Sequence, residues 1–255
     1  MIIIKQKLEL FGFNNLSRLL CISIYDVCYT ENTDSQKSYI THMNTRHSSE
    51  YLVKVLTNVV DIIDATILNI SKYDYEPHGA SATLLISEEV SSNQERDVIL
   101  AHLDKSHLAV HTYPDCHPSK CMASFRIDID ISTCGVIIPL TALNYLIKCF
   151  KSDIISLTYN VRGYTRSTCG EKLYNDYELT SLQDSIDEKI LKNYNAIDMN
   201  LCQANIFHTK MIKKEIDLVN HIFDFNIEAL SSSDRVRITE NLRKEMSEIY
   251  HGSKA

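Results

Sequence analysis

Glycine and proline are scarce in this sequence, with six and four among 255 residues. That scarcity excludes a collagen, a proline-rich linker array and a low-complexity chain. No apolar run reaches the roughly 18 residues of a membrane span, so we predict no transmembrane helix. The apolar start Met1–Ile4 stops at Lys5 without a small-residue cleavage site, which argues against a signal peptide.

Clustered positive charge is also missing from the chain. The 26 lysines and arginines are dispersed, and the net charge is −7. A nucleic-acid groove needs concentrated positive charge, so we expect no nucleic-acid partner. The eight cysteines, without a signal peptide, favour free thiols in a reducing compartment, and we predict a cytoplasmic protein.

Strand and helix patterns are interleaved along the chain. The clearest strand covers 124–132, where apolar residues alternate with polar ones. Apolar residues at helical spacing predict helices near 49–63, 139–150 and 234–250. Further strands are expected at 2–10, 21–29, 66–70, 82–87, 107–113 and 154–164, and polar segments at 88–97 and 165–198. Because the order is irregular, we predict an α+β fold with a largely antiparallel β-sheet packed against helices.

Reactive side chains are concentrated in the segment 101–115, which holds three histidines, a serine and two acids. If residues 106–113 are extended, Ser106 points to one face of the strand and His111 to the other. Taken alone, this spacing fits an edge strand with hydrogen-bonded polar residues and does not define a nucleophile site. The function must therefore be sought in a wider pattern.

Eight short motifs are spread over nearly the whole chain and supply that pattern. They are Tyr25–Tyr29, Tyr75–Ser81, Asp104–His107, Val110–Pro114, Ser132–Gly135, Val161–Gly163, Asn205–Met211 and Lys244–Tyr250. In order and spacing they resemble the bacterial S-adenosylmethionine decarboxylase proenzymes, in their longer enterobacterial-type form. The resemblance implies an α/β sandwich and one pyruvoyl-decarboxylase domain over 1–255.

Self-cleavage between Lys105 and Ser106 is the first activity that the resemblance implies. The products would be a β chain of residues 1–105 and an α chain of residues 106–255. The Ser106 hydroxyl would attack the preceding carbonyl, and β-elimination followed by hydrolysis would leave covalently bound pyruvate, a pyruvoyl group, at the new N-terminus. By motif position His111 is the base of this processing, a role that suits histidine near neutral pH.

Decarboxylation of S-adenosyl-L-methionine is the second implied activity. The pyruvoyl carbonyl would form a Schiff base with the substrate amine and accept electrons as carbon dioxide leaves. By motif position Cys134 donates the proton to Cα, Tyr75 lies against the adenine, and Ser81 contacts the substrate. Asp115 stands where the family usually has glutamate, so we expect a weaker or rearranged contact with the ribose. The product would be S-adenosylmethioninamine, the aminopropyl donor for spermidine.

Several alternatives stay open from the residues themselves. Tyr75 could be ordinary core packing and Cys134 an inert buried thiol. The same pyruvoyl chemistry could act on arginine or ornithine, and a non-catalytic regulatory paralogue is a more remote reading because it should have lost the processing residues. Cys116, His117 and Cys121 lack a second ligand pair, so we predict no zinc site. The resemblance further implies a homo-oligomer of αβ units, up to a tetramer, and allows Mg²⁺ as an activator.

Overall fold

The structure is a computed structural model that describes residues 11, 15–88, 106–117, 120–150, 152–174 and 179–253. The strand predicted at 2–10 lies outside the described residues. So do Lys105 and all but the first residue of the polar segment predicted at 88–97.

The described residues form ten strands and six α-helices. The strands are β1 (Ser17–Tyr29), β2 (Ala65–Asp74), β3 (Ala80–Glu88), β4 (His107–Cys116), β5 (Met122–Cys134), β6 (Ile154–Arg162), β7 (Thr165–Arg166), β8 (Lys172–Leu173), β9 (Tyr194–Asp198) and β10 (Ile206–Lys213). The α-helices are α1 (Thr33–Arg46), α2 (Ser49–Ile62), α3 (Leu143–Cys149), α4 (Glu188–Leu191), α5 (Leu218–His221) and α6 (Ser232–His251). Short 3₁₀ turns occur at Pro139–Ala142, Leu182–Ser185, Cys202–Ala204 and Ile227–Ala229.

One eight-stranded sheet organises the molecule, in the order β2-β3-β4-β5-β1-β6-β10-β9. Every neighbouring pair in it is antiparallel. The predicted α+β class with a largely antiparallel sheet packed against helices is therefore confirmed. Strands from both sides of the predicted cleavage point share this sheet, because β3 pairs with β4 and β1 lies between β5 and β6.

The first face of the sheet forms the main core. Alternate residues of β5, from Ala123 to Thr133, are buried on it, as the period of two in the sequence predicts. Apolar residues of α1, α2 and α3 pack against this face. In α2 the buried set includes Leu52, Val55, Leu56 and Val59, which is the predicted helical stripe.

The second face is polar over most of its area and is covered by a helix at one end. Buried and partly exposed residues alternate along β1 as far as Asp26. Beyond it Val27 and Tyr29, which lie on the second face, are buried as well. They are buried because Leu242 and Met246 of α6 pack against them in a separate apolar cluster. Elsewhere this face carries partly exposed polar side chains, such as Ser23, Asp128, Asp130, Thr158 and His208.

Several features of the fold differ from the sequence expectations. Helix α1 was not predicted because it is mostly polar; a capping box between Asn32 and Ser35 fixes its start. The segment 165–198, expected to be polar and without regular structure, contains β7, β8, β9 and the buried Leu182. Helix α6 begins two residues before the predicted start at 234, because Ser231 caps it: the Ser231 hydroxyl accepts the Asp234 N–H at 3.1 Å.

Candidate active site

Ser106 and Cys134 meet at the adjacent ends of β4 and β5. Ser106 directly precedes β4, and its carbonyl accepts the Ile86 N–H at 3.1 Å, so it continues the ladder with β3. The Ser106 hydroxyl oxygen accepts the Cys134 N–H at 3.2 Å. Both residues are buried, with 4% and 9% of their surface exposed. The structure therefore brings together two predicted site residues that lie 28 positions apart in sequence.

A tight turn fixes the backbone that follows Cys134. Gly135 has a φ of +66°, which glycine adopts without strain, and its N–H donates to the Leu16 carbonyl at 3.0 Å. The Thr133 hydroxyl donates to the Ile137 carbonyl at 3.0 Å and closes the turn from the other side. The buried Arg18 also donates to the Gly135 carbonyl at 2.6 Å. Sequence reasoning missed Arg18, because one arginine in an alternating strand gives no functional signal.

Tyr75, Ser81 and His111 form a second group, here called the His111 cluster. The Tyr75 hydroxyl lies 3.0 Å from the Ser81 hydroxyl. Ser81 of β3 is the direct ladder partner of His111 in β4. On its other side His111 is paired with Asp128 of β5. The predicted substrate contacts Tyr75 and Ser81 are therefore neighbours of the predicted processing base.

A glycine turn holds Tyr75 in this position. The Tyr75 N–H donates to the Gly79 carbonyl at 2.8 Å, and Gly79 has a φ of +99°. A Cβ at Gly79 would lie 2.9 Å from the Thr112 carbonyl oxygen, so the close approach of this turn to β4 requires glycine. The Asn44 side chain accepts the Gly79 N–H at 3.1 Å and ties the turn to α1. The motif Tyr75–Ser81 thus builds a platform with a half-exposed tyrosine ring.

The His111 cluster and the Ser106–Cys134 pair are well separated within one chain. His111 follows Ser106 by five residues on an extended strand, which corresponds to about 16 Å. As predicted, the faces of β4 alternate: Leu108, Val110 and Thr112 are buried, whereas His111 is partly exposed on the second face. Within one copy, His111 therefore does not reach Ser106.

Carboxylates and an arginine surround His111 on the second face. Arg126 lies 3.3 Å from the Asp128 carboxylate and stacks on the Tyr113 ring, 4.3 Å from its centroid. Burial, and then the neighbouring Asp130 and Asp128, raise the pKa of the Cys21 thiol to about 12, so Cys21 stays protonated. A face with two carboxylates beside aromatic rings suits a cationic ligand better than an anionic one.

Asp115 and the remaining candidate ligands are at the surface. Asp115 is exposed near the end of β4, where it pairs with Ser124. Cys116, His117 and Cys121 are exposed as well. Within the described parts of the chain, no three histidines, cysteines or acids are grouped so that they could hold a metal ion.

All eight cysteines are free thiols. Among the described helices, none has the length and apolar character needed to cross a membrane.

Comparison with known proteins finds relatives that match almost the whole chain, and a family profile and a solved structure that match parts of it. The sequence profile of the S-adenosylmethionine decarboxylase family matches residues 40–163. An S-adenosylmethionine decarboxylase proenzyme of Alkaliphilus oremlandii is 51% identical, over 98% of this chain and 97% of the relative. Another, of Clostridium botulinum, is 49% identical with the same coverage of both chains. Among solved structures, the adenosylmethionine decarboxylase of Aquifex aeolicus aligns with 66% of this chain and 99% of its own, at 17% identity and a TM-score of 0.34.

Proposed function

The chain belongs to the S-adenosylmethionine decarboxylase family, and on that premise we propose that it decarboxylates S-adenosyl-L-methionine with a pyruvoyl group made from its own Ser106. The product is S-adenosylmethioninamine, the aminopropyl donor for spermidine. The observation that carries the proposal is the contact between the Ser106 hydroxyl and the Cys134 N–H. It joins the residue proposed to become the electrophile to the residue proposed to donate the proton.

The surroundings of Ser106 fit a pyruvoyl group. Ser106 is buried next to the end of a strand, and the Cys134 N–H donates to its side-chain oxygen. The same N–H can donate to a carbonyl oxygen of a pyruvoyl group formed there. A pyruvoyl group supplies a carbonyl that binds the substrate amine and accepts electrons while carbon dioxide leaves. Cys134 then has one task, to hold a proton on Sγ and deliver it to the substrate Cα.

Processing of the chain forms and breaks bonds around Ser106. The Ser106 oxygen bonds to the Lys105 carbonyl carbon and displaces the Ser106 amide nitrogen, which converts the amide into an ester. A base removes the Ser106 α-proton, and the Lys105 carboxylate leaves with the C–O electron pair. Water then replaces the nitrogen of the resulting enamine, which departs as ammonia. The Cys134 N–H orients the attacking hydroxyl, and His111 is the proposed base.

We propose that His111 acts on the Ser106 of a second copy of this chain. The separation of about 16 Å rules out transfer within one copy in this arrangement. Strand alternation places Cys134 and the His111 cluster on the same, second face of the sheet. A two-fold pairing of two second faces would set the His111 cluster of each copy near Cys134 of the other, whose N–H lies in the plane of the sheet and binds the Ser106 hydroxyl. Exposed apolar residues on this face, Leu85 and Ile197, support its burial against another copy.

A complementation experiment tests this two-copy site. Chains carrying Ser106→Ala or His111→Ala are expressed separately and then together, with different affinity tags. We expect each chain alone to remain uncleaved, and the His111→Ala chain to be cleaved when the Ser106→Ala chain supplies its histidine. Failure to rescue cleavage in mixed oligomers confirmed by tandem affinity purification would contradict the arrangement.

The two cleavage products are proposed to stay associated as one αβ unit. Strand β1 belongs to the segment 1–105; it is paired with β5 over Ser17–Tyr29 and with β6 over Ser17–Tyr25, and both partners belong to the segment 106–255. Separation would break both ladders and expose the core, so we expect it to require a denaturant.

The free thiols support the proposed reducing, cytoplasmic location. For Mg²⁺ we propose no ligands, since the described residues offer no carboxylate cluster that could hold it.

Product identification tests the proposed reaction. Wild type is incubated with S-adenosyl-L-methionine, arginine or ornithine, and both carbon dioxide and the amine product are measured. We expect release from S-adenosyl-L-methionine alone, no activity for Ser106→Ala, and unchanged activity for the control Ser71→Ala on the exposed strand β2. Carbon dioxide released from arginine or ornithine instead would overturn the assigned substrate.

A further inference from the structure

We propose that Arg18 is a positioning residue that holds the turn after Cys134 and thereby sets where the Cys134 thiol and N–H lie. The inference rests on the proposed role of Cys134 in the reaction. Arg18 does not touch the reacting atoms in this proposal; it acts through the backbone of Gly135 and Ile137.

Arg18 is a fully buried arginine in the sheet. It lies in β1 between Thr133 of β5 and Val161 of β6, and none of its surface is exposed. Its Nη1 donates to the Gly135 carbonyl at 2.6 Å and to the Ile137 carbonyl at 3.4 Å. One guanidinium nitrogen thus bridges the two carbonyls of the turn that begins directly after Cys134.

The start of β1 holds both backbone groups of Gly135. Arg18 binds its carbonyl, and the Leu16 carbonyl accepts its N–H at 3.0 Å. On the other side of Cys134, Thr133 is fixed by its place in the ladder and by its hydroxyl bond to Ile137. Cys134 is therefore clamped between two residues that are each anchored, which leaves its backbone little freedom.

An apolar side chain could fill the same space but could not make these bonds. Burying a guanidinium costs free energy, and buried carbonyls that lose their donor cost free energy too. Hydrogen bonds from charged donors are shorter and stronger than neutral ones, as the 2.6 Å contact illustrates. Removing the donor should release the turn rather than the sheet, because β1 is paired on both sides along most of its length.

Thiol reactivity tests the inference without requiring an active enzyme. On a Ser106→Ala background, which keeps the chain whole, iodoacetamide labelling of Cys134 is compared with labelling of the buried Cys28 near the far end of β1. We expect Arg18→Met to raise the Cys134 rate about tenfold or more while the Cys28 rate stays the same. Arg18→Lys, which keeps a charged donor, should restore part of the protection. The control Ile22→Val removes one buried methyl from the same face of β1. It should change neither the Cys134 labelling rate nor the Cys28 labelling rate.

Two outcomes would overturn the inference. One is a Cys134 rate in Arg18→Met equal to that of the background chain. The other is an equal rise at Cys134 and Cys28, which would show general loosening of the fold. In chains that retain Ser106, Arg18→Met should slow cleavage and lower kcat about tenfold with KM within about twofold. If the wild-type chain is never cleaved, the proposed function fails, whereas the labelling ratio still reports on Arg18.

Discussion

Protonation of one buried histidine should set much of the acid sensitivity of this fold. His47 ends α1 and is 2% exposed, with its ring stacked on Phe125 at 5.1 Å between centroids. Burial first, and then the nearby charges of Arg46 and His42, lower the pKa of His47 from 6.5 to about 4. Between those two values the unfolded chain binds a proton that the folded chain does not, so stability falls as the pH falls through this window. Each pH unit within this window changes the free energy of unfolding by about 1.36 kcal/mol, so the loss of stability between pH 7 and pH 4 is about 3 kcal/mol.

Replacing this histidine by phenylalanine isolates the effect. His47→Phe keeps a ring among Phe125, Tyr51 and Phe150 but removes the titrating group. Urea unfolding followed by circular dichroism at pH 7.0 and pH 4.5, on an uncleaved Ser106→Ala background, gives the two free energies. We expect the variant to lose about 2 to 3 kcal/mol less than the background on acidification. His251→Gln removes an exposed histidine at the end of α6, away from His47, and is the control. Equal acid losses in the background and in His47→Phe would refute the reasoning.

Three further predictions concern the site. Cys134→Ser should still be cleaved, because its N–H remains, but should decarboxylate about a hundredfold or more slowly; intact mass and initial rates measure the two effects, and retained activity would contradict the role of the thiol. Tyr75→Phe removes the hydroxyl that meets Ser81 and should raise KM a few-fold, by about 1 kcal/mol of binding, with kcat retained; a loss confined to kcat would contradict a binding role. Asp115→Glu restores the longer acid usual in the family and should lower KM about threefold, whereas an unchanged KM would remove Asp115 from the substrate site.

Regular patterns in the sequence predicted the regular parts of the fold. Strand β5 alternates from Met122 to Thr133, and α2 carries an apolar stripe at helical spacing, so both were found close to their observed bounds. Helix α1 was missed because tertiary contacts of Tyr39, Ile40 and Met43 stabilise a helix whose sequence is largely polar. Strand β10 was missed because its apolar residues come as adjacent pairs, Ile206–Phe207 and Met211–Ile212, and the buried residue between them, Thr209, is polar.

Motif position, rather than spacing, located the candidate site. Nothing in the spacing of Ser106 and Cys134 indicates that they meet; the register of β4 against β5 brings them together. The extended conformation of β4 separates His111 from Ser106, which the motif alone does not reveal. Arg18 has no sequence signal, because its role depends on carbonyls 117 and 119 residues further along the chain.

The intact mass of the purified full-length chain tests the central claim most directly. The account predicts two chains of about 12 kDa and about 17 kDa, in proportion to their shares of 255 residues and 29.2 kDa. The larger chain should weigh one ammonia less than residues 106–255 with a free serine terminus, and borohydride in the presence of substrate should trap a covalent adduct on it. A single uncleaved chain of 29.2 kDa that nevertheless releases carbon dioxide from S-adenosyl-L-methionine would contradict the account.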